Sequence, residues 1–94
     1  MIAGDSAGGG LALALAMSLR DEGLPLPAAL VLFSPWTDLA ATGASLAENS
    51  ARCAMFAQDT IERAARLYPG GADPRVPGIS PLYGNFDGLP PMCI

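Results

Sequence analysis

Gly4-Asp5-Ser6-Ala7-Gly8, entered from Met1-Ile2-Ala3 and leading into the alanine- and leucine-rich run Leu11 to Leu19, is the stretch that decides the fold. A short apolar segment, a turn built on Gly-x-Ser-x-Gly and a helix-forming run describe a strand, a sharp turn and a helix in succession. The pattern asks for a small residue on both sides of the serine, because so tight a turn holds the serine strained at its tip with its hydroxyl exposed. The triplet Gly8-Gly9-Gly10 that follows is a poor helix start, since each glycine costs roughly 0.8 to 1 kcal/mol relative to alanine. Close approach of backbones at the turn is the reason to expect for it.

From Ala7 to about Glu22 there is no proline and no β-branched residue, and Gly23 stands where a helix would end. Apolar residues on nearly every face between Leu11 and Met17 predict a helix buried on all sides, packed on a sheet with other layers over it. After Gly23-Leu24-Pro25-Leu26-Pro27, the unbroken apolar run Ala28 to Ser34 predicts a strand covered on both faces, as in a parallel sheet. Together these elements compose a βαβ unit. Asp5 to Ala7 and Pro35 to Asp38 then share the carboxyl rim of the sheet, where open α/β sheets bind their ligands.

Beyond Asp38 the regularity drops, and Gly43 to Ser50 is a stretch of small and polar residues. Gln58 to Tyr68 reads as a helix, with Asp59 near its start and Arg63 and Arg66 toward its end, in agreement with the helix dipole. Pro69 to Pro91 holds six of the nine prolines and reads as an ordered loop leading to a terminal strand at Met92.

Half of the 94 residues are apolar (51%) and only 15% are charged, which is rich in core for so short a chain. An α/β enzyme of this kind usually needs roughly 200 or more residues to close its sheet. The expectation is therefore the central portion of a larger, mostly parallel α/β domain, with apolar faces poorly covered in isolation. A net charge of −4, no lysine and five scattered arginines offer no basic stripe, which disfavours nucleic acid as a partner. Cys53 and Cys93 lack metal-site or disulfide-framework spacing and are expected as small buried hydrophobes. Leu11 to Leu19 is far short of the roughly 20 residues that span a bilayer, and no signal segment is visible. That favours the cytoplasm for these residues and says nothing of any flanking segment.

The turn carries a chemical reading. Ser6 would attack an acyl carbonyl through Oγ, and the backbone N–H of Ala7 would supply one arm of an oxyanion hole. The amino end of the following helix favours the same negative charge. The general base is missing, for the chain contains no histidine. Two rivals fit less well. The serine loop of chymotrypsin-like proteases belongs to β-barrels and is not followed by a long helix former. A phosphate-binding loop would end in Gly-Lys-[Ser/Thr], and Asp5 would repel the phosphate. Asp38 is open between a catalytic acid and a residue that caps the loop after Trp36. Asp5 reads as holding the turn through backbone hydrogen bonds. Trp36 and Tyr68 either line an acyl pocket or pack in the core, and Met55 to Tyr68 is either a lid or a plain surface helix.

Four ordered segments, Gly4-Asp5-Ser6-Ala7-Gly8-Gly9, Ser34-Pro35-Trp36-Thr37-Asp38-Leu39, Ile79-Ser80-Pro81-Leu82 and Leu89-Pro90-Pro91, together resemble the hormone-sensitive-lipase-like branch of the α/β-hydrolase esterases. The resemblance implies a carboxylesterase or lipase acting on small-molecule acyl esters of short to medium chain, with no metal or organic cofactor. By the family pattern Ser6 is the nucleophile and Ala7 an oxyanion donor. An upstream His-Gly-Gly-Gly loop and a downstream acid and histidine would lie outside these 94 residues. Asp73-Pro74-Arg75 resembles the family's acid motif but sits too early for it and reads as a surface turn. Two expectations follow: the 94-residue chain by itself is inactive, or, as the alternative, it is a non-catalytic product serving as a binding or interaction module.

Overall fold

In a computed structural model describing residues 1–94, the run Ile2–Asp5 (β1) pairs in parallel with Leu30–Phe33 (β2), with Ile2 opposite Leu30 and Asp5 opposite Phe33. The helix between them, Ala7–Asp21 (α1), completes the βαβ unit that the turn and the apolar runs predict. A two-residue strand, Met92–Cys93 (β3), adds to the other side of β2, again parallel, giving the order β1-β2-β3. Between β2 and β3 the chain forms two helices, Ala44–Asn49 (α2) and Gln58–Leu67 (α3), and 3-10 turns at Ser50–Arg52 and Pro81–Tyr83. The third helix falls where the sequence places it, with Asp59 in its first turn and Arg66 in its last. The second was not legible, because Ala44 to Asn49 is a single short run with no apolar stripe and no buried residue.

The core is the seam between α1 and the sheet. Leu13, Ala16 and Met17 pack with Leu30 and Leu32, and Ile2, Leu89 and Met92 border them. The helix ends as Gly23 requires. With φ +67, Gly23 donates to Arg20 O (3.0 Å) and Leu24 donates to Leu19 O (2.8 Å), the paired bonds of a Schellman cap. Next to that cap, Arg20 reaches the segment before β3 and donates to Asn85 O at 2.6 Å and Asp87 O at 2.8 Å. This clamps the last loop onto the helix that the sheet is built on.

Three expectations are corrected. First, α1 is buried along one side only: Leu11 and Leu15 are 60% and 45% exposed, because no second layer lies over them. Second, β2 is covered on one face. Leu30 and Leu32 are buried toward α1, whereas Val31 is half-buried and Phe33 is 61% exposed on the opposite face with Ala3 and Cys93. Third, both cysteines are exposed, Cys93 on that bare face and Cys53 in the loop before α3. The backbone N–H groups of Phe56 and Met55 point at Cys53 Sγ and hold its thiol below the ordinary range. No helix is long and apolar enough to cross a membrane.

Replacing Gly23 by alanine puts a Cβ into a left-handed conformation and is expected to destabilise the chain by about 1–2 kcal/mol. Urea denaturation followed by circular dichroism measures it; a loss below a few tenths of a kcal/mol would contradict the cap.

Candidate active site

Ser6 is the one residue between β1 and α1, and the chain reverses there with φ 53 and ψ −118. A non-glycine residue in such a conformation carries a strain of roughly 1–3 kcal/mol and persists only where its surroundings impose it. Here they do. The Ser6 N–H donates to Phe33 O (3.0 Å), extending the β1–β2 ladder. Its carbonyl oxygen accepts three N–H groups, from Gly9 (3.1 Å), Gly10 (3.2 Å) and Trp36 (2.8 Å). The turn is thereby fixed to both the first turn of α1 and the segment leaving β2. The side chain remains exposed, and the Ala7 N–H, at the first position of α1, has no acceptor within the helix.

The glycines divide by what surrounds them. A Cβ on Gly4 would lie against the backbone of Gly8 and 2.7 Å from Gly9 N. One on Gly9 would sit 2.8 Å from Pro35 Cβ, and one on Gly10 would run into the Trp36 carbonyl. Gly8, by contrast, has nothing within 4 Å of such an atom. Close backbone approach does explain the glycine triplet, but through Gly9 and Gly10. The expected need for a small residue on both sides holds at Gly4 and is corrected at Gly8.

Ser34 and Ala41, with φ 42 and 55, are the other non-glycine residues at positive φ, and both flank the segment that carries Trp36 and Asp38. Asp38 holds this segment together. One carboxylate oxygen accepts Ala40 N–H (3.0 Å) and the Tyr83 hydroxyl (3.1 Å). The other accepts Thr42 N–H (2.8 Å) and Thr42 Oγ1–H (2.7 Å). Partial burial would raise its pKa, yet the donors from Thr42, Tyr83 and Ala40 together outweigh it and hold the carboxyl below its ordinary 3.8. The Asp38 carbonyl in turn accepts the Trp36 indole N–H (3.0 Å). Of the two sequence readings, this geometry is that of a loop-organising residue.

The Ile79 to Leu82 segment locks onto the same loop. Buried Ser80 accepts Leu39 N–H through Oγ at 2.7 Å, and Leu82 N–H donates to Thr37 O at 3.1 Å. Sequence reasoning singled out Asp38 but missed Thr42 and Tyr83 as its partners, and Ser80 as the acceptor for Leu39 N–H. The signals were an Asp four residues ahead of Thr, and a Ser-Pro-Leu-Tyr run at Ser80 to Tyr83 with no apolar periodicity to explain it.

Ser6 opens into a cavity of about 490 Å³, bounded by Trp36, Asp38 and Ala41 on one side and by Phe56, Ile61 and Ala64 on the other. Phe56 and the α3 residues Thr60, Ile61 and Ala64 therefore border the same cavity as Ser6. Trp36 is half-buried and Tyr68 is 61% exposed; both line cavities, and neither belongs to the core. Asp5 is exposed, and the turn is held by backbone groups in place of its carboxylate. Asp73 is also exposed and accepts Arg75 N–H at 2.9 Å, the surface turn expected of it.

A parallel βαβ sheet with a strained serine between strand and helix, facing a cleft at the carboxyl rim, defines an α/β hydrolase. The whole chain, residues 1–94, matches that fold family, and the chain belongs to it. It is 50% identical over 93 residues to an acetyl-hydrolase of Streptomyces hygroscopicus, an alignment covering 99% of this chain and 31% of that protein. Among solved structures, an esterase of the bacterial hormone-sensitive lipase family superposes with a TM-score of 0.90 at 47% identity, over 96% of this chain and 30% of the other. A hormone-sensitive lipase from a metagenome library gives 0.91 at 43%, over 97% and 32%. The resemblance read from the four segments is thus upheld, and the chain spans about a third of the length of these relatives.

Two predictions follow from the turn and its loop. Gly4→Ala is expected to unfold the βαβ unit or shift it by several kcal/mol, whereas Gly8→Ala, in open space within a helix, is expected to gain about 0.5–1 kcal/mol; equal effects in thermal melts would refute the asymmetry. For Asp38, the folded-state pKa lies below the unfolded 3.8, so its hydrogen bonds add stability above that value and lose it as pH falls further. The stability gap between the native chain and Asp38→Asn is expected to be constant from pH 5 to 7 and to shrink below about pH 3.8, as read by urea titrations at successive pH values.

Proposed function

We propose that Ser6 is the nucleophile of a carboxylic-ester hydrolase that works through an acyl-enzyme. The observation that carries this reading is the imposed conformation of Ser6, φ 53 and ψ −118 at a strand-to-helix turn, with its side chain facing the cleft. Such strain is retained where it presents a group for reaction. The names of the relatives, acetyl-hydrolase and esterase, lend the reaction type.

In this mechanism Oγ loses its proton to a histidine and attacks the ester carbonyl carbon. The carbonyl π electrons move to oxygen, where the Ala7 N–H and the positive end of α1 stabilise the charge. Collapse of the tetrahedral species breaks the bond to the alcohol, which departs with the proton from histidine. Water then repeats the sequence on the acyl-enzyme, releasing the carboxylic acid and restoring Ser6. The histidine and its acid come from residues outside these 94, and so do the remaining oxyanion donors. Asp38 is not the acid in this scheme, because all four of its hydrogen bonds serve its own loop and Tyr83.

Loss of triad members costs several orders of magnitude in turnover. The 94-residue chain alone is therefore expected to leave p-nitrophenyl acetate unhydrolysed, whereas the full-length protein hydrolyses it and loses that activity in Ser6→Ala. A fluorophosphonate probe is expected to label Ser6 in the full-length protein. Absence of both labelling and hydrolysis there would overturn the ester-hydrolase reading in favour of a binding module.

A further inference from the structure

Consecutive residues behind Trp36 are all held by one short segment. Thr37 O accepts Leu82 N–H (3.1 Å), the Asp38 carboxylate accepts the Tyr83 hydroxyl (3.1 Å), and Leu39 N–H donates to Ser80 Oγ (2.7 Å). That segment is itself anchored on α1. Its turn Pro81–Tyr83 lies against the helix and runs into Gly84, where a Cβ would come within 2.7 Å of Met17 Sδ. Just beyond, Arg20 grips the carbonyls of Asn85 and Asp87. Trp36 completes the circuit, donating its amide to Ser6 O at 2.8 Å and its indole N–H to Asp38 O at 3.0 Å. Ser6 thus lies on a closed ring of contacts, reached through α1 on one side and through Trp36 on the other. Within this ring Tyr83 is set apart by what it touches. The hydroxyls of Tyr83 and Thr42 both donate to Asp38, one on each carboxylate oxygen, and stand 3.2 Å from each other. Neither residue lines the cavity that holds Ser6, whereas Trp36 and Asp38 do.

We propose that Tyr83 is a positioning residue for ester hydrolysis, acting on Ser6 through Asp38 and Trp36. The inference rests on the ester-hydrolase reading of Ser6. The hydroxyl bears on no reacting atom. It fixes Asp38, whose carbonyl receives the Trp36 indole, and a Trp36 held there keeps its amide aimed at the Ser6 carbonyl oxygen. That same oxygen receives the first N–H groups of α1, so a displaced Trp36 relaxes the strained turn and shifts Oγ relative to the Ala7 N–H. Reacting groups held to within about 0.5 Å are sensitive to such a shift. The other two links of the segment are less separable from the fold: the one from Leu82 is backbone, and Ser80 is fully buried. Tyr83 is 37% exposed, and Tyr83→Phe removes one hydroxyl while leaving the ring in place.

The test uses the full-length protein, with p-nitrophenyl acetate and butyrate as substrates and a fluorophosphonate to count reactive sites and time their labelling. Tyr83→Phe is expected to lower kcat roughly threefold to tenfold, by the same factor for both esters, with KM within about twofold of wild type. The fluorophosphonate is expected to label the same fraction of molecules as in the wild type, but more slowly by a similar factor. Thr42→Val removes the other hydroxyl on Asp38 and is expected to act in the same direction; it carries the test where Tyr83→Phe yields no folded protein. In Trp36→Phe, which lacks the indole N–H that reaches Asp38, adding Tyr83→Phe is expected to cost less than about twofold further. Unchanged kcat in the hydroxyl variants overturns the proposal and leaves the reading of Ser6 standing. So does a loss that matches the missing fraction of labelled sites, which is the mark of unfolding alone. A loss confined to KM, or one that differs between the two esters, puts Tyr83 on the substrate wall and overturns the proposal as well. Additive losses with Trp36→Phe overturn the route through Trp36. A wild-type protein that neither hydrolyses an ester nor takes up the fluorophosphonate overturns this inference and the reading of Ser6 together.

Discussion

The carbonyl oxygen of Ser6 is the point on which the rest of the structure depends. It accepts three backbone N–H groups, two from the start of α1 and one from Trp36, after β2 has ended. A single oxygen thus sets the angle at which the helix leaves the strand and the height at which the post-β2 segment crosses the rim. The convergence has a steric condition, since three backbones meeting on one atom leave no room for Cβ atoms between them. Gly4, Gly9 and Gly10 meet that condition, each at the expense of helix or strand propensity. Strain at Ser6 and the glycine cluster are two consequences of one requirement.

From that point the site extends by backbone and loop contacts. Trp36 ties to Ser6 through its amide and to Asp38 through its indole, and Asp38 gathers Thr42 and Tyr83. Ser80 closes the loop from the other side. The segments Ser34 to Leu39 and Ile79 to Leu82, far apart in the chain, are therefore two halves of one hydrogen-bonded wall. A carboxylate with four donors in this position is occupied by structure. Its depressed pKa records the donors around it and carries no implication of acid–base work.

What the sequence made legible was what depends on neighbours in the chain. The turn at Ser6, the helix ending at Gly23 and the strand at Leu30 each follow from a local rule about sterics or periodicity. The readings that failed concerned partners at a distance. Apolar residues around all of α1 were read as burial on all sides, but apolar character states only what a face would favour, not what lies over it. Leu11 and Leu15 have no layer above them, and Phe33 has none beyond the sheet. The cysteines failed for the same reason, since Cys93 occupies the bare side of β3. The Asp38 network stayed hidden because its donors come from Thr42 and Tyr83, and no periodicity links residues that meet only through loop geometry.

The exposed apolar faces also separate the two things a hydrolase site needs. A compact 9.6 kDa chain is expected to expose about 5,100 Å² by the usual mass scaling; this one exposes 5991 Å². The excess is what one helix on one face of a three-stranded sheet must leave open. Even so, every contact that shapes Ser6 lies within residues 4–36, on the covered side or at the rim. The geometry of Ser6 is therefore a short-range property that survives the poor coverage of the rest. A general base has no such local origin. Nothing in the turn, the glycines or the loop around Asp38 requires a histidine, so the chain fixes a strained serine while containing no histidine. In this molecule, exposing the Ser6 hydroxyl at a strained turn and supplying a base beside it are physically independent requirements.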